Sequence, residues 1–122
     1  MIEAGVLVDR DEVPLYWHLP PGRSAGSLPD SRELWDAIWA NREQLMGFAH
    51  SHPGSGIPSP SEEDLTTFSA IDLALGRRLS WWITSSDRVV IVMWSGPDAY
   101  DYVIEPLDYE PGWVAELRRL SQ

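Results

Sequence analysis

Two of the chain's three histidines, His50 and His52, stand one residue apart in an apolar segment that Pro53 stops. On a strand, side chains two apart project from the same face, so the imidazoles point together while Ser51 turns away as a structural residue. Such a pair offers two nitrogens to one divalent ion. Asp64 is the natural third donor: it lies in the first turn of a helix that Ser61 opens, and the intervening Pro/Gly loop is short enough to fold back over the strand end. Two imidazoles and one carboxylate leave the fourth tetrahedral position for water, which zinc makes acidic enough to supply hydroxide near neutral pH. A plainer reading stands beside this one. Ser61-x-x-Asp64 is also a capping pattern, and half-buried strands do contain isolated histidines. The conjunction of paired histidines, a Pro/Gly loop and an aspartate at a helix start favours the metal.

The elements that must position these groups follow from hydrophobic period and punctuation. Strands are predicted over 2–9 and 13–19, then a loop over 20–30 from its Pro, Gly and Ser content. A helix follows over about 31–45, with Asp30 and Glu33 at capping-box spacing and Leu34, Trp35, Ile38 and Trp39 as its apolar stripe. The histidine strand covers 46–52. A second helix runs from Ser61 with Leu65, Phe68, Ile71 and Leu75 inward and Gly76 at its C-cap. Strands over 79–84, 89–94 and 99–104 read as an antiparallel meander, and the tail from Pro111 as an amphipathic helix bearing Trp113, Val114, Leu117 and Leu120. Most tryptophans are expected in the core, Trp81 and Trp82 on opposite sides of one strand. The order of elements implies one domain over 1–122, of α/β (α+β) class, with a mixed, largely antiparallel sheet flanked by helices.

Bulk properties narrow the chemistry. A 122-residue chain buries a real core without staples, and the absence of cysteine excludes disulfides and thiolate metal sites, so any metal is held by His, Asp, Glu or water. The formal net charge of -10 argues against nucleic acid, which needs a Lys/Arg footprint, and leaves room for a basic protein partner. No apolar run reaches membrane-spanning length and no basic segment precedes a long apolar one, so the expectation is a cytoplasmic protein without a signal peptide.

The stretch His50-Ser51-His52-Pro53 followed by Ser61-Glu62-Glu63-Asp64 resembles the JAMM motif of JAB/MPN-domain metalloproteases, in the compact prokaryotic type. The likeness covers roughly residues 2–105, leaving 111–122 as a helical tail; the loop is one residue longer than the family's usual spacing. It implies a cytidine-deaminase-like architecture, one Zn2+ on His50, His52 and Asp64, and Ser61 as a donor to the oxyanion of the tetrahedral intermediate. It also implies a glutamate on an early strand as general base. Glu3, in Glu3-Ala4-Gly5-Val6-Leu7-Val8, looks like a contracted form of the family's stretch, with Glu12 in the following turn as the runner-up. The helix that usually precedes this strand in the family is missing, so the expectation is either a minimal family member or a chain that has lost residues upstream of Met1. Glu33 and Glu43 read as helix-surface residues and His18 as a hydrogen-bonded structural histidine.

The activity so implied is hydrolysis of a peptide or isopeptide bond at the C-terminal tail of a ubiquitin-like or sulfur-carrier protein, the tail lying extended over a strand edge. The alternative is a non-catalytic MPN-type scaffold that binds partners without hydrolysis. A purely structural zinc site is disfavoured because such sites are closed by four protein ligands.

Overall fold

Period-two alternation gives Gly5–Asp9 (β1) two buried faces: Val6 and Val8 look to one side of the sheet and Leu7 to the other. The computed structural model describes residues 1–122. After β1 come Pro14–His18 (β2), Arg32–Ala40 (α1), Leu45–Ser51 (β3) and Glu62–Leu75 (α2). Ser80–Thr84 (β4), Val89–Trp94 (β5), Tyr102–Pro106 (β6) and Val114–Leu120 (α3) complete the chain. The six strands form one sheet in the order β2-β1-β3-β4-β5-β6. Every pairing is antiparallel except β3 with β4, which run parallel and need a crossover; α2 supplies it. The α+β sandwich with a mixed, mostly antiparallel sheet is therefore as expected.

The sheet separates two cores. On one face Leu34 and Ile38 of α1 and Phe68 and Ile71 of α2 pack against Leu7, Phe48, Trp81 and Ile83. On the other, Trp113, Val114 and Leu117 of the tail pack against Val6, Val8, Ala49 and Trp82. Trp81 and Trp82 do face opposite layers: Trp81 stacks on Phe68 at 4.3 Å and Trp82 meets Trp113 edge-on at 5.6 Å. Such pairs contribute about 0.5–1.5 kcal/mol beyond area burial.

Several boundaries move for identifiable reasons. Helix α1 ends at Ala40, short of 45, because the Asn41 side chain turns back on Ala37 O (2.8 Å) and its N–H bonds the same carbonyl, leaving Leu45 to open β3. Glu43 therefore lies in a turn. The α1 cap is Ser31, whose hydroxyl accepts from Leu34 N–H at 3.0 Å, and not Asp30. Only Leu34 and Ile38 of the expected stripe are buried; Trp35 and Trp39 are exposed, and Arg42 lies over the Trp39 ring. Strand β6 starts at Tyr102 because residues 98–101 form a turn closed by Asp98 N–H on Asp101 (3.0 Å), and Pro106 is tolerated because β6 is an edge strand. Gly76 ends α2 in the left-handed region (φ 70), where the absence of Cβ matters.

Asp72 of α2 is fully buried and joins three elements: it accepts from Leu79 N–H (3.0 Å) and from Tyr102 O–H (2.8 Å). Burial pushes its carboxyl above the ordinary 3.8, against those hydrogen bonds and the charge of Arg78. A raised carboxyl favours the folded state most below its unfolded value and loses that contribution as pH rises through the folded one. Asp72→Asn, which keeps an acceptor but cannot ionise, should therefore gain stability relative to wild type over the pH range that rises from the ordinary carboxylate value through the raised one. Asp72→Ala leaves two donors unpartnered and should cost about 1–3 kcal/mol. Urea denaturation across that pH range checks both, and a wild-type minus Asn difference that stays flat with pH would contradict the burial of a strained carboxylate.

Candidate metal centre

The pleat of β3 sorts its residues to opposite layers. Phe48 and His50 face α1 and α2, whereas Ala49 and Ser51 face α3. Ser51 is a structural residue: its hydroxyl accepts from Ala4 N–H (2.9 Å) and lies 2.6 Å from Ser121 Oγ. Although β3 ends at Ser51, the His52 N–H still bonds Thr84 O (2.8 Å), so the ladder continues one residue and His52 follows His50 onto the same face. The two rings meet edge-on at 4.7 Å, with Nε2 atoms 2.9 Å apart.

Asp64 reaches the same point from α2. Its Oδ2 lies 3.3 Å from His50 Nε2 and 3.1 Å from His52 Nε2. Ser61 and Asp64 form a complete capping box: the Ser61 hydroxyl accepts from Asp64 N–H (3.1 Å), and Ser61 N–H donates to Asp64 Oδ2 (2.9 Å). The loop between strand and helix is tied to the β4–β5 turn. Gly56 N–H bonds Asp87 (2.8 Å), Ser85 O–H bonds Gly56 O (2.6 Å) and Ser86 N–H bonds Gly54 O (2.9 Å).

Glu3 completes the group. Glu3, His50 and His52 place donor atoms within 4.8 Å of one another and could hold one metal ion. The residue is not frayed but buried, only 8 % exposed. Glu3 precedes β1, which begins at Gly5, so the strand expected from residue 2 is shorter. Gly5 itself has a steric reason: a Cβ there would meet the Phe48 ring at 2.4 Å. That ring lies across Gly5 between His18 and His50, at centroid distances of 6.1 and 6.4 Å.

Two carboxylates thus flank one histidine pair, and either can complete a three-donor set. The three distances through Asp64 are short enough for one ion to bridge. A triangle with sides of 2.9, 3.1 and 3.3 Å admits a point about 2 Å from all three atoms, the length of zinc bonds to nitrogen and oxygen. The electrostatics separate the two. Burial raises the Glu3 carboxyl above its ordinary value, only partly offset by attraction to His50 and His52. Burial would raise Asp64 too, but hydrogen bonds from His50 and His52, the charge of His50 and the Ser61 N–H hold it far below the usual carboxylate range. His52 is raised: burial opposes its charge, and the hydrogen bond and charge of Asp64, with Glu3, outweigh it.

The other sequence candidates lie elsewhere. Glu12 sits in the β1–β2 turn at the opposite end of β1 and accepts from Tyr109 O–H at 3.2 Å. His18 is fully buried, and its Nε2–H donates to Pro29 O at 2.7 Å. Burial lowers its basicity, which suits a neutral structural imidazole. The expectation of a strand edge at the site needs correcting: β3 is interior, paired with β1 and β4, and the sheet edges are β2 and β6. What opens over Glu3, His52, Ser61 and Asp64 is a polar cleft of about 300 Å³, walled by Ala25–Leu28 of the 20–30 loop and by Glu63 and Thr67 of α2. Sequence reasoning did not find these wall residues, because their role depends on where a long loop docks and no local pattern encodes that.

The family described as prokaryotic homologs of the JAB domain matches residues 4–96. The matched span holds His50, His52, Ser61 and Asp64; Glu3 lies just before it, and β6 and α3 beyond it. No curated protein matches the chain closely enough to count as a relative. No helix is long and apolar enough to cross a membrane. A match over most of the length, on a six-stranded mixed sheet that presents the paired histidines to the head of α2, has one meaning: the chain belongs to the family of prokaryotic JAB-domain homologs.

Proposed function

We propose that this protein is a zinc-dependent metallopeptidase that hydrolyses the peptide or isopeptide bond at the C-terminal tail of a ubiquitin-like or sulfur-carrier protein. The observation that carries the reading is the convergence of His50 Nε2, His52 Nε2 and Asp64 Oδ2 within 2.9–3.3 Å, with a buried glutamate beside them. His50, His52 and Asp64 are the ligands on this reading, and Glu3 is the general base. A zinc ion held there supplies an acidified water and polarises the substrate carbonyl.

The division of labour between the carboxylates follows from their environments. Asp64, kept ionised by three donors, is suited to bind a cation, whereas Glu3, whose proton affinity burial raises, is the better suited of the two to accept and release a proton. Glu3 takes the proton from water and delivers it to the leaving amine nitrogen, so it ends the cycle ionised as it began. Ser61 does not have to choose between capping and catalysis. Its oxygen accepts from Asp64 N–H, and its own O–H proton stays free to donate to a developing oxyanion. The cleft between the 20–30 loop and α2 is where an extended tail would lie. JAB-domain chemistry and the absence of large insertions in a 122-residue chain support small ubiquitin-like or sulfur-carrier substrates.

Zinc titration separates ligand from base. Asp64→Asn should weaken zinc binding by at least about 10²-fold, while Glu3→Gln should bind zinc within a few-fold of wild type. The reverse pattern would exchange the two roles. Glu3→Gln should lower turnover of a tail-extended ubiquitin-like fusion by about 10²- to 10⁴-fold. A chelator should abolish cleavage and added zinc should restore it. Cleavage of none of several such fusions by the zinc-loaded protein would discard this substrate class, and silence toward unstructured peptides as well would leave the scaffold alternative.

A further inference from the structure

We infer that Arg23, together with the C-terminal end of α3, is a positioning clamp for Glu3, an inference that rests on the proton-accepting role proposed above. Glu3 stands outside the β1 ladder, so strand pairing does not fix its backbone. Two consecutive residues of the 20–30 loop fix it instead. The Glu3 N–H donates to Ser24 O at 2.9 Å, and Arg23 Nη1 donates to Glu3 O at 3.1 Å. Both main-chain polar groups of the residue are thus committed to one short stretch of loop.

The same guanidinium nitrogen also donates to Leu120 O at 3.1 Å. The last carbonyls of a helix have no partner within it and carry the negative end of its dipole. At the end of α3 the N–H groups of Ser121 and Gln122 take Arg118 O and Arg119 O, and two carbonyls go to the residues around Glu3: Leu120 O to Arg23, and Ser121 O to the Ile2 N–H at 2.8 Å. Ser121 Oγ adds a link at 2.6 Å to Ser51, whose hydroxyl holds Ala4 N–H at 2.9 Å and whose N–H bonds Ala4 O at 3.0 Å. Residues 2, 3 and 4 are therefore each held by a segment distant in sequence. Arg23 is placed to set the position of Glu3 relative to His50 and His52 without touching substrate, metal or the reacting atoms. Glu3 and α3 lie outside the span that the family match covers, whereas Arg23, Ser24 and Ser51 lie inside it.

The test is a double-mutant cycle with an activity-independent arm. Arg23→Met should lower kcat by about ten- to a hundredfold, the effect of misplacing a catalytic group by about 1 Å, with KM and zinc affinity changed by less than about threefold. Arg23→Lys, which keeps a donor, should recover part of the loss. In a Glu3→Gln background Arg23→Met should cost nothing further, because a residue that acts only through Glu3 has nothing left to position. Equal losses in both backgrounds, or a parallel fall in zinc affinity, would overturn the clamp. The second arm is amide hydrogen exchange on the zinc-loaded protein: Arg23→Met should speed exchange at Glu3 while leaving the β3 amides protected. Unchanged exchange at Glu3 overturns the inference. Should the wild type hydrolyse nothing, the catalytic reading fails and the exchange result alone decides whether Arg23 holds Glu3.

Discussion

One oxygen, Asp64 Oδ2, sits where three constraints meet. It accepts the Ser61 N–H that closes the capping box of α2 and faces both His50 and His52 Nε2 within 3.3 Å. Because the capping geometry of a helix start is narrow, the rotamer that satisfies the cap is also the one that aims the carboxylate at the histidines. The cap therefore does more than stabilise α2: it transfers the position of the helix to a donor atom. The parallel β3–β4 pairing requires α2 as its crossover, and the Gly56–Asp87 and Ser86–Gly54 contacts hold the intervening loop. Sheet topology and a local hydrogen-bonding motif thus converge on one atom.

The second carboxylate shows what a different support does to the same chemical group. Glu3 receives no backbone donor to its side chain comparable to Ser61, and burial raises its proton affinity where Asp64 is driven the other way. Two acids beside one histidine pair thereby become chemically distinct. A metal ligand must stay ionised, whereas a proton carrier must be able to change state, and burial without donors produces the second kind of group.

What could be read from the sequence divides along the range of the interactions involved. The histidine pair, the strand that carries it, the capping box at Ser61 and the C-cap at Gly76 are all local, spanning a few residues, and the pattern of types is enough to place them. The burial of Glu3 was not legible. It depends on Ser24, Arg23, Ser121 and Ser51, none closer than twenty residues along the chain, and a terminus read in isolation looks solvated. The same limit explains Trp35 and Trp39: helical spacing marks them as an apolar stripe, but α1 is short and the sheet covers only the Leu34–Ile38 face. Asn41 illustrates competition at short range, since a polar side chain that bonds Ala37 O ended a helix that hydrophobic period alone would extend.

The C-terminal helix changes meaning in this light. On sequence it is a helical tail over 111–122, following a core of roughly residues 2–105 in one domain. In the fold it covers the middle of one face of the sheet, burying Trp113, Val114 and Leu117 against β1, β3 and β4. A sheet with one apolar face bare would not be stable in water, so α3 is required by the core before it serves the site. Two carbonyls at its end, Leu120 O and Ser121 O, are bonded by Arg23 and the Ile2 N–H. The antiparallel register of β1 on β3, which sets Gly5 opposite His50 and continues through the Ser51 N–H to Ala4 O, brings the chain's first residues beside the histidines, and the end of α3 ties them there. The candidate metal centre draws two histidines and an aspartate from the end of β3 and from α2, and the glutamate that accompanies them is held by the 20–30 loop, which Arg23 ties to the end of α3.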